Sequence, residues 1–239
     1  MKRILFALAA MLALACTKTN PEHQGHEYVD LGLSVKWATY NIGAALPEEA
    51  GDYFAWGETE PYYVAGDALA KDATWKDGKK EGYNWESYRW SDNKGTFFHK
   101  YVTDSKYGTV DGKSVLELED DAARATWGGK WRMPTVEEWQ ELRDNCSWAW
   151  TTQGGVSGYR VSNKVSGKSI FLPAVGHRFK TQIYDSRIPD YADYGKYWTS
   201  SLSSGKSYYG DCWDVNPDNS GFGNAWRYLG LPIRPVCTK

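Results

Sequence analysis

The sequence predicts a loop-rich α+β fold, and three observations predict it. Short runs of alternating apolar residues recur along the chain, as in half-buried strands. Two short stretches carry helical signals. Aromatic residues (13 Trp, 17 Tyr, 7 Phe) are interleaved with Gly, Ser, Asn and Asp, a composition that fills an irregular core with large rings. Some of those rings would instead form a contact surface, since Tyr and Trp carry large area at low entropy cost. Most Trp are therefore expected to be buried, and a good share of Tyr exposed.

The elements follow in order. Leu33, Val35 and Trp37 alternate with Ser34, Lys36 and Ala38, a strand with one buried face. Tyr28-Val29-Asp30 reads as its hairpin partner. Residues 58–110 lack helical periodicity and sustained alternation. They read as a long decorated insertion anchored by Trp75, Trp85 and Trp90. A helix is expected over Leu118–Trp127, with acids in its first turn as the dipole prefers and Gly128-Gly129 as its stop. A second runs over Val136–Asn145. Thr135 and Glu138 form its capping box, and Val136, Trp139 and Leu142 form its apolar stripe. Trp131 and Trp139 are expected in the core. The remainder reads as β: Tyr159 and Val161, Ile170 and Leu172, Tyr197-Trp198, Trp213–Val215 and Leu231–Val236. Ser203–Gly205 and Pro217–Gly223 read as loops.

Net charge is -2 with both signs interspersed, which argues against a nucleic-acid partner. Four scattered histidines and the absence of CxxC leave no legible zinc site, and no nucleophile motif such as GxSxG occurs. The chain is expected to be no enzyme and to carry no cofactor. Lys2 and Arg3, the apolar run Ile4–Leu14, and Ala13-Leu14-Ala15-Cys16 have the layout of a secretory signal. The junction resembles the lipobox of bacterial lipoproteins, which implies lipidation of Cys16. The expected division is a signal peptide over 1–15, lipidated Cys16 with a tether to residue 27, and one domain over 28–239. The expected location is the cell envelope, as an outer-membrane lipoprotein.

Several strings recur in a familiar order: VDLGLSVKWATYNIGA, GDYFAWGETEP, DDAARATWGGKWRMPTVEEWQEL, SIFLPAVGHR, YWTSSL and LPIRPV. Together they resemble the bacterial (Fibrobacter-type) major-paralogous-domain lipoproteins. That family has the C-type-lectin-like fold of the formylglycine-generating-enzyme superfamily. The resemblance implies two short helices on small twisted antiparallel sheets, with the strand near Val35 paired to the last strand near Ile233. It implies a Cys146–Cys237 disulfide with Cys212 free, and a ligand face on the loops before and between the last strands.

On that face the strand at Trp213 and Val215 should bury those two side chains and turn Cys212 and Asp214 outward. Tyr208, Tyr209, Asp211, Asn219, Phe222, Asn224, Trp226 and Tyr228 would then present to a glycan or protein ligand, with the loop 183–194 beside them. The segment Ser203–Arg227 also matches what retroelement-guided diversification yields in some relatives of this fold, although any exposed loop of the fold shares its composition. Asn216-Pro217-Asp218-Asn219 partly resembles a calcium-lectin loop, but no Trp-Asn-Asp follows, and a polar turn explains it. The acids Glu117, Glu119, Asp120 and Asp121 read as a solvated helix start. A purely structural envelope role is the alternative reading. A formylglycine-generating activity, for which only Cys212 and Cys237 speak, is a remote one.

Overall fold

The computed structural model describes residues 23–61, 82–180, 182–185, 191 and 193–239. The signal segment, Cys16 and Trp75 lie outside these residues. Among the described residues the fold is α+β: two α-helices, α1 (Ala122–Trp127) and α2 (Val136–Asn145), and twelve short strands in four antiparallel sheets.

The first sheet has the order β1-β2-β12-β3, from β1 (Tyr28–Val29), β2 (Val35–Ala38), β12 (Val236–Thr238) and β3 (Trp131–Arg132). The first and last strands pair as expected, but further along: Val35 stands opposite Thr238 and Trp37 opposite Val236. The second sheet has the order β11-β10-β9, from β9 (Gly195–Leu202), β10 (Tyr209–Val215) and β11 (Ser220–Trp226). The third joins β4 (Cys146–Gln153), β5 (Val156–Asn163) and β6 (Ser169–Pro173). A two-stranded ribbon of β7 (His177–Phe179) and β8 (Gln182–Tyr184) completes the set.

The first two sheets are walls between two cores. Trp37, Tyr197, Trp213 and Val236 belong to one apolar cluster, while their chain neighbours Ala38, Trp198, Cys212 and Cys237 belong to the other. Side chains alternate across a strand, so adjacent apolar residues mean that both faces are covered.

The cluster on the α2 side is regular. Thr135 caps α2 by accepting from the Glu138 amide, and Glu138 reaches back to the Thr135 amide, as the sequence predicts. The helix sets Trp139 and Leu142 into the core. There the Trp139 ring stacks on Trp213 at 5.5 Å and meets Trp37 edge-on at 4.8 Å. The helix expected over Leu118–Trp127 is divided: Leu118–Asp120 is a 3-10 turn, and the α-helix starts after Asp121, which caps it by accepting from the Arg124 amide. Gly128 and Gly129, both at positive φ, end it.

The other cluster is built largely from loops, and residues 58–110 contribute to it. Tyr83, Tyr88, Phe98, Tyr101 and Val102 are fully or nearly buried. The described part of residues 58–110 therefore sends rings into the core while much of its length, such as Phe97 and residues 103–106, stays exposed; Trp85 and Trp90, the expected anchors, are partly buried. Its centre is Arg227, fully buried. The guanidinium donates from Nε to the Tyr88 hydroxyl at 2.8 Å, from Nη1 to the Ser207 carbonyl at 2.9 Å and from Nη2 to the Lys100 carbonyl at 3.0 Å. It lies 4.8–4.9 Å from the ring centres of Phe98 and Trp56. A planar cation with forked donors suits such a site: its stem and faces pack on rings while its edge satisfies backbone oxygens. Arg234 is a second buried arginine, bonded to Asn41 and to the carbonyls of Ala38 and Thr39. Burial pulls its pKa down to about 10.

The expected exposure of tyrosine is not found. Among the described residues only Tyr28 is exposed, because phenol hydroxyls find carbonyl partners inside, as Tyr53 does at Val175 and Tyr197 at Pro173. Residues expected to be tether are also packed. The His26 ring stacks on Trp127 at 3.9 Å, and Trp131 donates its indole N–H to the His23 carbonyl at 2.9 Å.

Candidate functional site

The expected ligand face is a sheet face rather than a set of loops. Ser220–Trp226, whose first half reads as loop, is strand β11, because Phe222, Asn224 and Trp226 alternate with small residues that let it lie flat against β10. The register places Trp226 opposite Tyr209, Asn224 opposite Asp211, Phe222 opposite Trp213 and Ser220 opposite Val215. Directly opposed residues share a face. One face of the hairpin thus carries Trp213 and Val215 in the core, then Phe222, Asn224 and Asp211, then Tyr209 and Trp226.

Trp213 anchors this face. It is fully buried against Trp139 and receives the edge of Phe222 at 4.9 Å. Phe222 and Trp226 are 47% and 42% exposed, and Asn224 is exposed. Tyr208 and Tyr209 are half-buried, with ring centres 4.5 Å apart. Asp211 is also half-buried. Burial pushes its carboxyl up from the ordinary value, a hydrogen bond from Ser203 opposes that, and the charge of Glu137 adds to it. Glu137, in the first turn of α2, is exposed. The arrangement can stack on a flat apolar ligand surface at Phe222 and Trp226 and accept hydrogen bonds at Asp211 and Asn224 between them.

Three expected positions fall elsewhere. Cys212, expected outward, is fully buried, because β10 is the central strand and its second face packs on the loop core. Asp214 also lies on that second face. Lys196 holds it at 2.6 Å, and its carboxylate crowds Gly223, where a Cβ would come within 2.6 Å. Tyr228, expected exposed, is buried against Trp85 at 4.6 Å and stacks beneath Trp226 at 5.5 Å. Asn219 is exposed on the hairpin turn, as expected of a loop residue, and its backbone amide donates to the Asn216 side chain. Asn216–Asn219 is thus a closed turn, as the sequence predicts.

The expected disulfide does not form. Cys146, Cys212 and Cys237 are all free and buried. The parity of β12 explains it: Val236 points to the α2-side core that holds Cys146, and Cys237 points to the opposite core. Burial raises all three thiols, Cys237 to about 11. None is therefore a thiolate at neutral pH, the form that redox chemistry needs.

The acids Glu117, Glu119 and Asp120 converge on Lys100, whose ammonium lies 2.7, 2.8 and 2.5 Å from them. The cation in that cluster is a side chain. A signal missed in the sequence is a cluster of rings at the β7–β8 ribbon. His177 stacks on Tyr184 at 5.2 Å with Tyr191 and Tyr194 around it. Burial, with the charge of Lys196, pulls the His177 pKa down to about 4. The expected loop 183–194 contributes Tyr184, Tyr191 and Tyr194 here; residues 186–190 and 192 lie outside the described ones. No family model, no curated protein and no solved structure matches the chain.

Proposed function

We propose that this chain is a lipid-anchored protein of the bacterial cell envelope, placed at the outer membrane. Its C-type-lectin-like domain binds a glycan or protein ligand on the β10–β11 face. One observation carries the reading: Tyr209, Asp211, Phe222, Asn224 and Trp226 form a row on one sheet face, and Trp213 locks that face to the core. Exposed aromatic anchors flanking oriented polar groups are the usual make-up of a contact patch. Cys16 is the proposed lipid attachment point, and the membrane is contacted through that anchor alone. No catalytic group or cofactor is assigned.

Two experiments test this. A glycan array and a surface-protein pull-down, each run with the wild type and with Phe222→Ala and Trp226→Ala, should find a ligand that both variants lose at unchanged melting temperature. A bound ligand that both variants retain sinks the face. Cys16→Ser should release the protein from membranes or leave its signal uncleaved. Unchanged fractionation and unchanged palmitate labelling sink the anchor.

A further inference from the structure

We infer that β11 is a dimerisation edge: two copies of this chain pair antiparallel through it, centred on Asn224. The inference does not depend on which ligand the face takes. Among the described residues β11 has β10 as its one strand neighbour, so the N–H and C=O groups of Phe222, Asn224 and Trp226 point away from the sheet; of these the Trp226 carbonyl accepts from the Leu229 amide at 2.8 Å and keeps its second lone pair. Exposed edges are ordinarily blunted by lysine, proline, a bulge or an inward charge. Ser220–Trp226 has none of these. It reads Ser-Gly-Phe-Gly-Asn-Ala-Trp, without a charge or a proline, and its register with β10 is unbroken over seven residues.

The strand is also complementary to itself. Phe222 and Trp226 stand two residues either side of Asn224 on one face. A two-fold axis at Asn224 sets Phe222 of each copy opposite Trp226 of the other, and Asn224 opposite itself. Aromatic pairs directly opposed across strands are favourable contacts. The charged residue directly opposite Asn224, Asp211, sits on the next strand inward in each copy. That is three strand spacings, roughly 14 Å, which exceeds the screening length of about 8 Å at physiological salt. A two-fold pairing of this kind is isologous and closes at two copies. The far edge of the sheet does not propagate it, because the Leu202 amide donates to the Ser114 carbonyl at 2.8 Å and the Leu116 amide to the Ser200 carbonyl at 2.9 Å. The result is one six-stranded sheet that shows both aromatic rows side by side.

Cysteine cross-linking of the full chain, in membranes of the expressing cells, tests both the dimer and its register. Asn224→Cys puts two thiols across the axis, with Cα atoms about 5 Å apart, within disulfide reach. Mild oxidation should give a covalent dimer as the main species, above the baseline set by the parent chain. Phe222→Cys alone places its thiols roughly 13 Å apart and should stay at baseline. Co-expressed Phe222→Cys and Trp226→Cys should cross-link. Baseline behaviour of Asn224→Cys overturns the inference. So does equal cross-linking of Phe222→Cys alone, which would mean unspecific collision. Asn224→Lys, at an exposed site, should shift the untreated protein toward monomer in sedimentation. An unchanged distribution also counts against the pairing.

Discussion

The two cores of this domain are held together by different physics. The α2-side core is made of regular elements and of rings on rings: Trp37, Trp139 and Trp213 are all fully buried, with Trp139 in contact with both others. The loop-side core gathers largely irregular segments around a buried cation, against the second faces of the strands, and much of its cohesion lies in hydrogen bonds from Arg227 to the backbone at residues 100 and 207 and to Tyr88. A core of periodic elements is organised before its rings meet, so ring shape sets its quality. A core of loops has no ladder to satisfy its carbonyls, so it needs an internal donor. The first kind should fail by losing volume, the second by losing partners.

That contrast is open to test. Arg227→Ala should be the most damaging single change, about 5 kcal/mol, because each buried carbonyl left unpaired costs about 1–3 kcal/mol and the rings lose their filler. Urea or thermal unfolding reads it. Arg227→Met restores much of the volume and should recover little of the loss. If it is milder than Trp139→Phe, the distinction between the cores fails. Trp139→Ala should follow at roughly 3–5 kcal/mol, the usual range for truncating a core aromatic, and Trp139→Phe should recover a large part of it.

Smaller effects belong to the periphery of each core. Thr135→Ala removes one half of the α2 capping box and should cost about 1 kcal/mol. A melting shift that ranks Thr135 above Trp139 would contradict the helix placement. His177 supplies a pH effect of definite sign. Its folded pKa, about 4, lies below its ordinary 6.5. Its contribution is therefore fully present above pH 6.5 and is lost as pH falls from there toward 4, where the unfolded chain takes the proton first. His177→Phe should flatten that limb of the stability curve; an unchanged limb places the effect elsewhere. Thiol labelling gives the least perturbing check: Cys146, Cys212 and Cys237 should resist reagent in the native state and all label in denaturant without reductant. Two that stay unlabelled would restore a disulfide.

The contrast also explains what could be read in the sequence. Helix α2 is legible to the residue because its signals are local: the cap at Thr135 and Glu138 and the stripe through Trp139. Strands β5, β6, β9 and β10 are legible from alternation or from paired apolar residues. Cys212 misleads because alternation tells which residues share a face, not whether the other face is dry. The pair Cys212-Trp213, like Tyr197-Trp198, was the sign that both faces are covered. The disulfide fails on the same point, as Val236 and Cys237 serve opposite cores. Strand β4 went unread although Trp148 and Trp150 alternate in it, and β11 hid behind its glycines. Tyr88, Phe98, Lys100 and Tyr101 meet at Arg227, more than a hundred positions away in sequence, and no local pattern carries such a contact. Of the candidate face, Tyr209, Asp211, Phe222, Asn224 and Trp226 were legible together, while Cys212, Asp214 and Tyr228 were not.

The stacking of His26 on Trp127 and the bond from Trp131 to the His23 carbonyl have a mechanical consequence. Under the proposed anchoring at Cys16, seven Cα–Cα steps join the lipidated residue to His23, which already packs on the folded body. Fully stretched, that span reaches roughly 25 Å. The leash is thus shorter than a domain is wide. The Trp127–Trp131 end would stand toward the bilayer, with restricted tilt and little freedom to search outward. A binding partner would have to come down to the membrane surface, since the protein could not reach up to meet it.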